Sequence, residues 1–246
     1  DAYLQSAIND GTIKAYLTCL DDIKDLYDFI FICTPVLESI NILQTISHII
    51  KDGIITDVGS TKSSICEFAI KNDIKNFIGG HPMAGTEKIG YDNSFETLFE
   101  GAYYFVTPTP INSDKNISKL KNLLKSLNCR VEEIDYKQHD FIAGVISHLP
   151  HIASAALVNM LKSDEDLLSK FAGGGFKDIT RISSSSPKMW SDISFANKDV
   201  ILHLTNEYIK LLETFKKELE DDNYQSIFDY FDHAKKIRDR IVSDKR

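Results

Sequence analysis

The sequence has 246 residues, of which 43% are hydrophobic and 26% are charged, and its formal net charge is −8 at pH 7. A chain of this length holds one large domain or two of ordinary size, and the composition is typical of a globular protein. The negative charge argues against broad binding to nucleic acid or to an anionic membrane. A small anionic ligand would therefore need a local cluster of cations.

The four cysteines, Cys19, Cys33, Cys66 and Cys129, are far apart in the sequence and form no C-x-x-C motif. This spacing is typical of reduced thiols inside the cell and predicts neither a disulfide framework nor a zinc site. No apolar run approaches the roughly 20 residues that a membrane span requires, and no signal peptide is evident. We therefore expect a cytoplasmic protein without a membrane partner.

Up to residue 136, short apolar runs alternate with helical stretches. The predicted strands are Ala15–Cys19, Asp28–Cys33, Gly53–Val58, Phe77–Gly80, Ala102–Thr107 and Arg130–Ile134. The predicted helices are Tyr3–Ile8, one that places Ile40, Leu43, Ile46 and Ile50 on one face, Ser63–Lys71 and Ile117–Leu127. Strands that alternate with helices are typical of a doubly wound α/β sheet, which we expect residues 1–136 to form.

After residue 136 the strand pattern stops, and residues 137–246 carry apolar side chains at helical spacing. The first helical stretch is predicted over His139–Leu161. Pro150 lies inside it and predicts a kink near His148, because proline removes a backbone hydrogen bond. Two further apolar stretches follow, and an all-helical domain with this much apolar surface usually packs against something. We expect a second subunit to supply that surface.

Three strand ends carry small or polar residues, at the edge where open α/β sheets bind ligands. The turns are Thr34-Pro35, Gly59-Ser60-Thr61-Lys62 and His81-Pro82. Strand-to-helix turns favour Gly, Ser, Thr and Pro for structural reasons alone, and an ordinary helix cap is the alternative role for Ser60. The ionisable histidine at the third turn favours a ligand site.

Lys177 and Arg181 follow three consecutive glycines, Gly173-Gly174-Gly175, and lie four residues apart, so they share one face of a helix. In an acidic protein this pair suggests a site for a small polyanion, because arginine can grip a carboxylate through two N–H groups. The alternative is a solvated charged face on which Asp178 balances the two cations.

His139, His148 and His151 invite a metal-site hypothesis. No matching carboxylate pattern accompanies them and Pro150 interrupts the helix, so we predict no metal site. His148 remains of interest as a polar group on an otherwise apolar helix. Trp190, the only tryptophan, is of a type found more often in a core than against a ligand.

Five segments together resemble the prephenate/arogenate dehydrogenase family. They are Asp57–Lys62, Gly80–Glu87, Ser147–His151, Gly173–Arg181 and Trp190, in the order of the family. The first segment alone is weakly specific, whereas the set is highly specific. The resemblance implies a Rossmann-type nucleotide-binding α/β domain, then a helical dimerisation domain, with the active site in the cleft between them. It also implies NAD(P)-dependent oxidative decarboxylation of prephenate to 4-hydroxyphenylpyruvate, in tyrosine biosynthesis.

The resemblance also implies roles for single residues. His81 matches the catalytic histidine, and an ordinary histidine pKa of ~6.5 suits proton acceptance at neutral pH. Ser60 matches the serine that hydrogen-bonds the substrate hydroxyl. The positions that hold or line the substrate match His148, Lys177, Arg181, Thr86 and Trp190. The turns beside the cofactor match Thr34, Pro35, Asp57, Gly59 and Ser60.

One part of the family pattern is missing, since the sequence has no G-x-G-x-x-G and starts at Asp1 without a methionine. We expect the chain to be a fragment that lacks the first strand, the glycine-rich turn, the helix and the second strand of the Rossmann unit. The residue that sorts NAD from NADP would lie there, so NAD is expected and NADP is the alternative. Without the pyrophosphate-binding turn, this chain is predicted to bind the cofactor weakly or not at all.

Three alternatives to a prephenate dehydrogenase stay open. Arogenate differs from prephenate only at the side chain, although the cation pair favours prephenate. A dehydrogenase of another hydroxy acid is the second alternative, and a non-catalytic dimerisation module on the same scaffold is the third. The presence of His81, Ser60, Lys177 and Arg181 argues against the last two.

Overall fold

The structure is a computed structural model that describes residues 2–24, 26–85, 90–163 and 170–243. Within these residues, five strands form one sheet in the order β1-β2-β3-β4-β5. The strands are β1 (Phe29–Ile32), β2 (Ile54–Asp57), β3 (Phe77–Pro82), β4 (Tyr103–Thr107) and β5 (Arg130–Glu133). β1, β2 and β3 run parallel, whereas β4 pairs antiparallel with β3 and parallel with β5.

By packing, the chain divides into two units, residues 1–200 and 201–246. The helices of the first unit are α1 (Ala2–Asn9), α2 (Val36–Ser47), α3 (Ser63–Lys71), α4 (Asp114–Ser126), α5 (Tyr136–Ala143), α6 (Leu149–Asn159), α7 (Gly174–Thr180) and α8 (Pro187–Ala196). α9 (Lys198–Glu220) starts in the first unit, and the second unit consists of the rest of α9 and α10 (Tyr224–Ser243). The domain boundary predicted at residue 136, where the alternation of strands and helices gives way to helices alone, stays a prediction.

The sheet carries an apolar core on each face. Ile55 and Phe77 belong to one core, together with buried residues of α2 and α3. The neighbouring residues Ile54 and Ile78 belong to the other core, together with buried residues of α4. Successive strand residues point to opposite faces, and β2 and β3 are buried throughout because helices cover both sides. The predicted α/β fold with a following helical part is confirmed, with β4 as an antiparallel addition.

Two predicted strands differ from the structure. The prediction of a strand at Ala15–Cys19 is wrong, since this segment is irregular and exposed. Its β-branched and aromatic residues have strand propensity, but a strand also needs a paired neighbour and a buried face. β3 is two residues longer than predicted, so His81 and Pro82 lie inside the strand and pair with Phe105 and Tyr104 of β4.

The long apolar stretch after residue 136 is interrupted as predicted. A turn of π-helix, Gly144–His148, separates α5 from α6, and Pro150 is the second residue of α6. A π-turn shifts the hydrogen-bond ladder by one residue, which accommodates the N–H that proline lacks. The expected kink near His148 is therefore a change of helix type.

The run Tyr136–Lys162 contradicts the expectation that no segment is apolar enough for a membrane span. It is 27 residues long and contains an 18-residue window with a mean hydropathy of 1.6, which satisfies the length and composition of a spanning helix. However, His139, Asp140 and His148 of this run are buried and hydrogen-bonded within the first unit. The run therefore contributes buried polar groups to the interior of the first unit.

Candidate active site

His81 lies near the end of β3, and only 9% of it is exposed. Its Nδ1 atom lies 2.8 Å from Nε2 of His139, and Nδ1 of His139 lies 2.9 Å from Oδ1 of Asp140. His139 and Asp140 are adjacent on α5 and are buried. A chain of hydrogen bonds thus runs from the strand into the helix.

Asp140 connects this chain to the turn that carries Ser60. Its Oδ1 accepts a hydrogen bond from the backbone N–H of Lys62 at 2.7 Å, and its Oδ2 accepts one from Ser63 at 2.8 Å. These N–H groups open α3 and have no partner within the helix. Asp140 therefore caps α3 from another element, and the half-buried Ser60 makes no capping bond to it.

Asp57 ends β2 and holds the following turn in place. Its Oδ1 accepts the N–H of Gly80 at 3.1 Å, and its Oδ2 accepts the N–H of Gly59 at 3.0 Å and pairs with the buried ammonium of Lys62. A Cβ atom at Gly59 would lie 2.9 Å from Oδ2 of Asp57 and 3.0 Å from a methyl group of Val36. Glycine therefore lets the turn pack closely on its own strand end and on α2.

His148 lies on the π-turn, is 1% exposed, and presents a ring nitrogen without a partner. Its Nδ1 atom lies 3.1 Å from the amide nitrogen of Asn197, which also donates to the carbonyl of Asp140 at 2.9 Å. An amide NH₂ only donates, so Nδ1 accepts and Nε2 carries the proton of the neutral ring. Nε2 is buried and unpaired within the described chain. Burial lowers the pKa of His148 to about 4, so the ring is neutral at pH 7.

An aromatic cluster adjoins His148. The rings of His151 and Trp190 stack with centroids 3.7 Å apart, and the His148 ring lies edge-on to the same indole at 6.0 Å. Burial lowers the pKa of His151 despite its hydrogen bond to a backbone carbonyl, and the charge of Arg181 lowers it further. Nε1 of Trp190 is buried without a partner among the residues that the structure describes.

The electrostatics keep His81 neutral. Burial lowers the pKa of His81 well below its ordinary value of 6.5, and the neighbouring groups His139, Lys62 and His148 lower it further. A neutral imidazole in this environment has one nitrogen that can accept a proton.

The structure brings together most of the predicted site residues. The turns Thr34-Pro35, Asp57–Ser60 and the His81 segment lie at the carboxyl ends of β1, β2 and β3, which are adjacent and parallel. Arg181 is exposed, and its charge acts on His151, whose ring stacks on Trp190 next to His148.

Two predicted residues are not placed with these groups. Lys177 is exposed on α7, and within the described ranges no hydrogen bond or ion pair connects its side chain to the others. Thr86 lies outside the described residues.

Sequence reasoning missed three partners of these residues. It considered His139 only as a metal ligand, and it gave no role to Asp140 or Asn197. The sequence carried one signal of their burial. His139 and Asp140 lie one helical turn before the apolar Ala143, and all three are buried on α5. Adjacent ionisable residues on a buried helix face need partners, and such partners are often functional groups.

Comparisons with known proteins identify a family. The family model described as "Prephenate dehydrogenase, nucleotide-binding domain" matches residues 5–133, and "Prephenate dehydrogenase, dimerization domain" matches residues 135–233. The chain is 41% identical over 219 residues to a prephenate dehydrogenase of Bacillus subtilis, which covers 86% of this chain and 59% of that protein. The chain thus spans about three-fifths of the length of that curated relative.

Solved structures of similar fold point to the same family. Prephenate dehydrogenase from Aquifex aeolicus, in complex with hydroxyphenyl propionate and NAD⁺, has a TM-score of 0.89 and 34% identity, covering 97% of this chain and 85% of that chain. Synechocystis arogenate dehydrogenase has a TM-score of 0.84 and 26% identity, covering 98% of this chain and 88% of that chain. Both domain models match in order along one chain, and the fold is that of these enzymes. The chain therefore belongs to the prephenate dehydrogenase family.

Proposed function

We propose that the protein is a prephenate dehydrogenase, an oxidoreductase of tyrosine biosynthesis that converts prephenate to 4-hydroxyphenylpyruvate and carbon dioxide with hydride transfer to NAD⁺. The observation that carries this proposal is the buried, neutral His81 at the carboxyl end of β3, one strand from the Gly59-Ser60 turn. The relatives from Bacillus subtilis and Aquifex aeolicus, both named prephenate dehydrogenase, support the choice of substrate.

His81 is the general base of the proposed reaction. Removing a hydride from the carbinol carbon of prephenate requires that the hydroxyl on that carbon lose its proton, and a neutral imidazole can accept it. Ser60, on the neighbouring strand end, would hydrogen-bond the same hydroxyl and place it against His81. Aromatisation of the ring drives the loss of carbon dioxide, so that step asks the protein only to hold the ring carboxylate.

NAD fits the turns that follow β1 and β2. Thr34, Pro35, Gly59 and Ser60 would hold the cofactor there on the family resemblance, and Gly59 keeps this turn packed closely against Asp57 and Val36. Both carboxylate oxygens of Asp57 are already bonded within the chain, so Asp57 would shape the turn. When bound, the nicotinamide ring supplies the hydride acceptor. NADP is the alternative cofactor.

The substrate would be held from the helical side. The unpaired Nε2–H of His148 and the guanidinium of Arg181 suit the two carboxylates of prephenate, and Trp190 would line the same region. Lys177 and Thr86 are proposed as further substrate contacts on the family resemblance alone.

We further propose that the protein works in the cytoplasm as a homodimer and needs no metal, nucleic acid or membrane. The match of residues 135–233 to a model described as a dimerization domain supports the dimer. The many exposed apolar residues of α9 and α10 support it as well.

Replacement of His81 by asparagine tests the proposed reaction. His81→Asn removes the base and leaves a polar side chain of similar shape, so kcat for prephenate oxidation should fall by roughly 10²–10⁴-fold with little change in KM. The measurement is steady-state formation of NADH. His48→Asn, at an exposed histidine after α2, is the matched control and should keep the original kcat. An unchanged kcat in His81→Asn would show that His81 is not the base.

Arogenate dehydrogenation is the second candidate, favoured by the likeness to Synechocystis arogenate dehydrogenase. The comparison of kcat/KM for prephenate and arogenate, each with NAD⁺ and NADP⁺, decides between the two substrates and the two cofactors. A higher value for arogenate would replace the proposed substrate and leave the roles of His81 and Ser60 in place.

A further inference from the structure

We propose that His139, held by Asp140, fixes His81 in the neutral form that carries its proton on Nδ1 and leaves Nε2 free to accept a proton. His139 is then a positioning residue, which acts on the substrate only through His81. The role in turnover rests on the proposed function, whereas the protonation pattern does not depend on it.

Asp140 has a carboxylate that can only accept hydrogen bonds when it is ionised. Burial raises the pKa of Asp140, but hydrogen bonds from His139, Ser63 and the backbone of Lys62 lower it to a net value below 3.8. The carboxylate is therefore ionised at neutral pH. Nδ1 of His139 lies 2.9 Å from its Oδ1 and must carry the proton in that bond.

The protonation of His139 decides that of His81. When its ring carries one proton, on Nδ1, His139 has a lone pair on Nε2, and this atom lies 2.8 Å from Nδ1 of His81. Two lone pairs at that distance would repel, so Nδ1 of His81 carries a proton and donates a hydrogen bond to Nε2 of His139. The remaining nitrogen of His81, Nε2, is then unprotonated and is the only one that can act as a base.

The surroundings hold this arrangement in place. His139 is fully buried, and its ring lies edge-on to the ring of Phe105. Phe105 lies on β4 and pairs with His81 in the sheet. Burial has the largest effect on the pKa of His81 and lowers it, and the charge of Lys62, in the turn before α3, lowers it further. Both preserve the neutral form of His81.

The experiment is ¹⁵N NMR of the intact protein with labelled histidines at pH 7.5, where ring nitrogen shifts report which nitrogen bears the proton. His81 is assigned by the signal lost in His81→Asn. We expect a protonated Nδ1 and an unprotonated Nε2 of His81 in the unmodified protein. The reverse pattern would overturn the proposal.

Two substitutions extend the test. His139→Leu removes the acceptor, so protonation of His81 should shift towards Nε2 and kcat should fall by about 10²-fold with KM changed less than about twofold. His139→Gln offers an amide oxygen to Nδ1 of His81 and should retain most of the Nδ1 protonation and of the kcat. His48→Leu, on an exposed histidine, is the matched control for both readouts.

The outcomes separate this inference from the proposed function. If His139→Leu folds and keeps Nδ1 of His81 protonated, His139 does not set the protonation and the inference is wrong. If the NMR pattern is as expected but the unmodified protein, with NAD⁺ shown to be bound, oxidises neither prephenate nor arogenate, the proposed function is wrong and the protonation pattern of His81 stands. Equal loss of kcat in the leucine and glutamine variants would also contradict a role for the acceptor atom.

Discussion

A buried ion pair holds the turn that follows the end of β2. Asp57 and Lys62 form an ion pair with both side chains almost entirely buried. The cost of removing two charges from water is large, and breaking such a pair leaves one charge uncompensated. The pair also holds the turn that carries Ser60, so its loss affects the site as well as the stability.

Lys62→Met should lower the free energy of unfolding by about 3–5 kcal/mol, because Asp57 stays buried with only backbone N–H groups as partners. Urea denaturation measures the change. Lys75→Met removes a lysine that pairs with Asp73 at the surface and should change the stability little. A loss in Lys62→Met as small as that of the control would show that the buried pair makes no net contribution.

Arg181→Ala should raise KM for prephenate by roughly 10–100-fold with a smaller effect on kcat, because it removes the proposed charge-assisted hydrogen bonds to a carboxylate of the substrate. Steady-state kinetics at saturating NAD⁺ measure both constants. Arg130→Ala removes the same charge from β5 and should leave KM unchanged. If Arg181→Ala keeps the original KM, the arginine has no part in binding the carboxylate.

At the scale of elements, α3 and α5 are coupled through one side chain. Asp140 of α5 accepts both hydrogen bonds that open α3, which lies 77–78 residues earlier in the chain. The pKa of Asp140 lies below its ordinary value, since hydrogen bonds outweigh the effect of burial. The ionised carboxylate therefore stabilises the packing of the two helices.

This coupling predicts a dependence of stability on pH. The folded pKa of Asp140 is lower than the value of about 3.9 in an unfolded chain, so the unfolded chain takes up the proton first as pH falls. The stabilisation is fully present above that unfolded value and is lost as pH falls through the folded pKa. Asp140→Asn should therefore lose less stability between pH 5 and pH 3 than the unmodified protein.

Urea denaturation across this pH range measures the difference between the two proteins. Asp52→Asn, at an exposed aspartate before β2, should follow the unmodified protein. Parallel curves for Asp140→Asn and the unmodified protein would mean that Asp140 does not stabilise the packing through its charge.

Elements were predicted well where the pattern is local. The helix Ser63–Lys71 has the predicted bounds, and β1, β2, β4 and β5 lie within one residue of the predicted strand ends. The false strand at Ala15–Cys19 shows the limit of local propensity, because that segment finds no partner in the sheet. The local sequence pattern also did not predict the antiparallel direction of β4, because strand direction depends on the path of the chain between strands.

For the whole molecule, the proposal that the helical part joins two subunits gives a direct test. Leu211 and Phe228 are large apolar residues that are 55% and 54% exposed in the second unit. We expect a mass of twice the 27.8 kDa chain in multi-angle light scattering. Leu211→Glu with Phe228→Glu should shift the protein towards the single-chain mass, because charged residues are costly to bury at an interface.

Leu127→Glu is the matched control for this substitution, since Leu127 is exposed at the end of α4 and lies in the first unit. It should leave the mass unchanged. A single-chain mass for the unmodified protein at micromolar concentration would contradict the homodimer, and an unchanged dimer in the double variant would place the interface elsewhere.

The sequence by itself determined the alternation of strands and helices, the helical second half and the family, because periodicity and short motifs are carried by neighbouring residues. It also singled out His81, which follows the predicted end of the third strand of the sheet. Only the tertiary structure decided what holds His81. His139 is 58 residues away in the chain and Asp140 reaches 78 residues back to Lys62. Such contacts arise from the packing of distant elements, and no local pattern specifies which buried polar groups will meet.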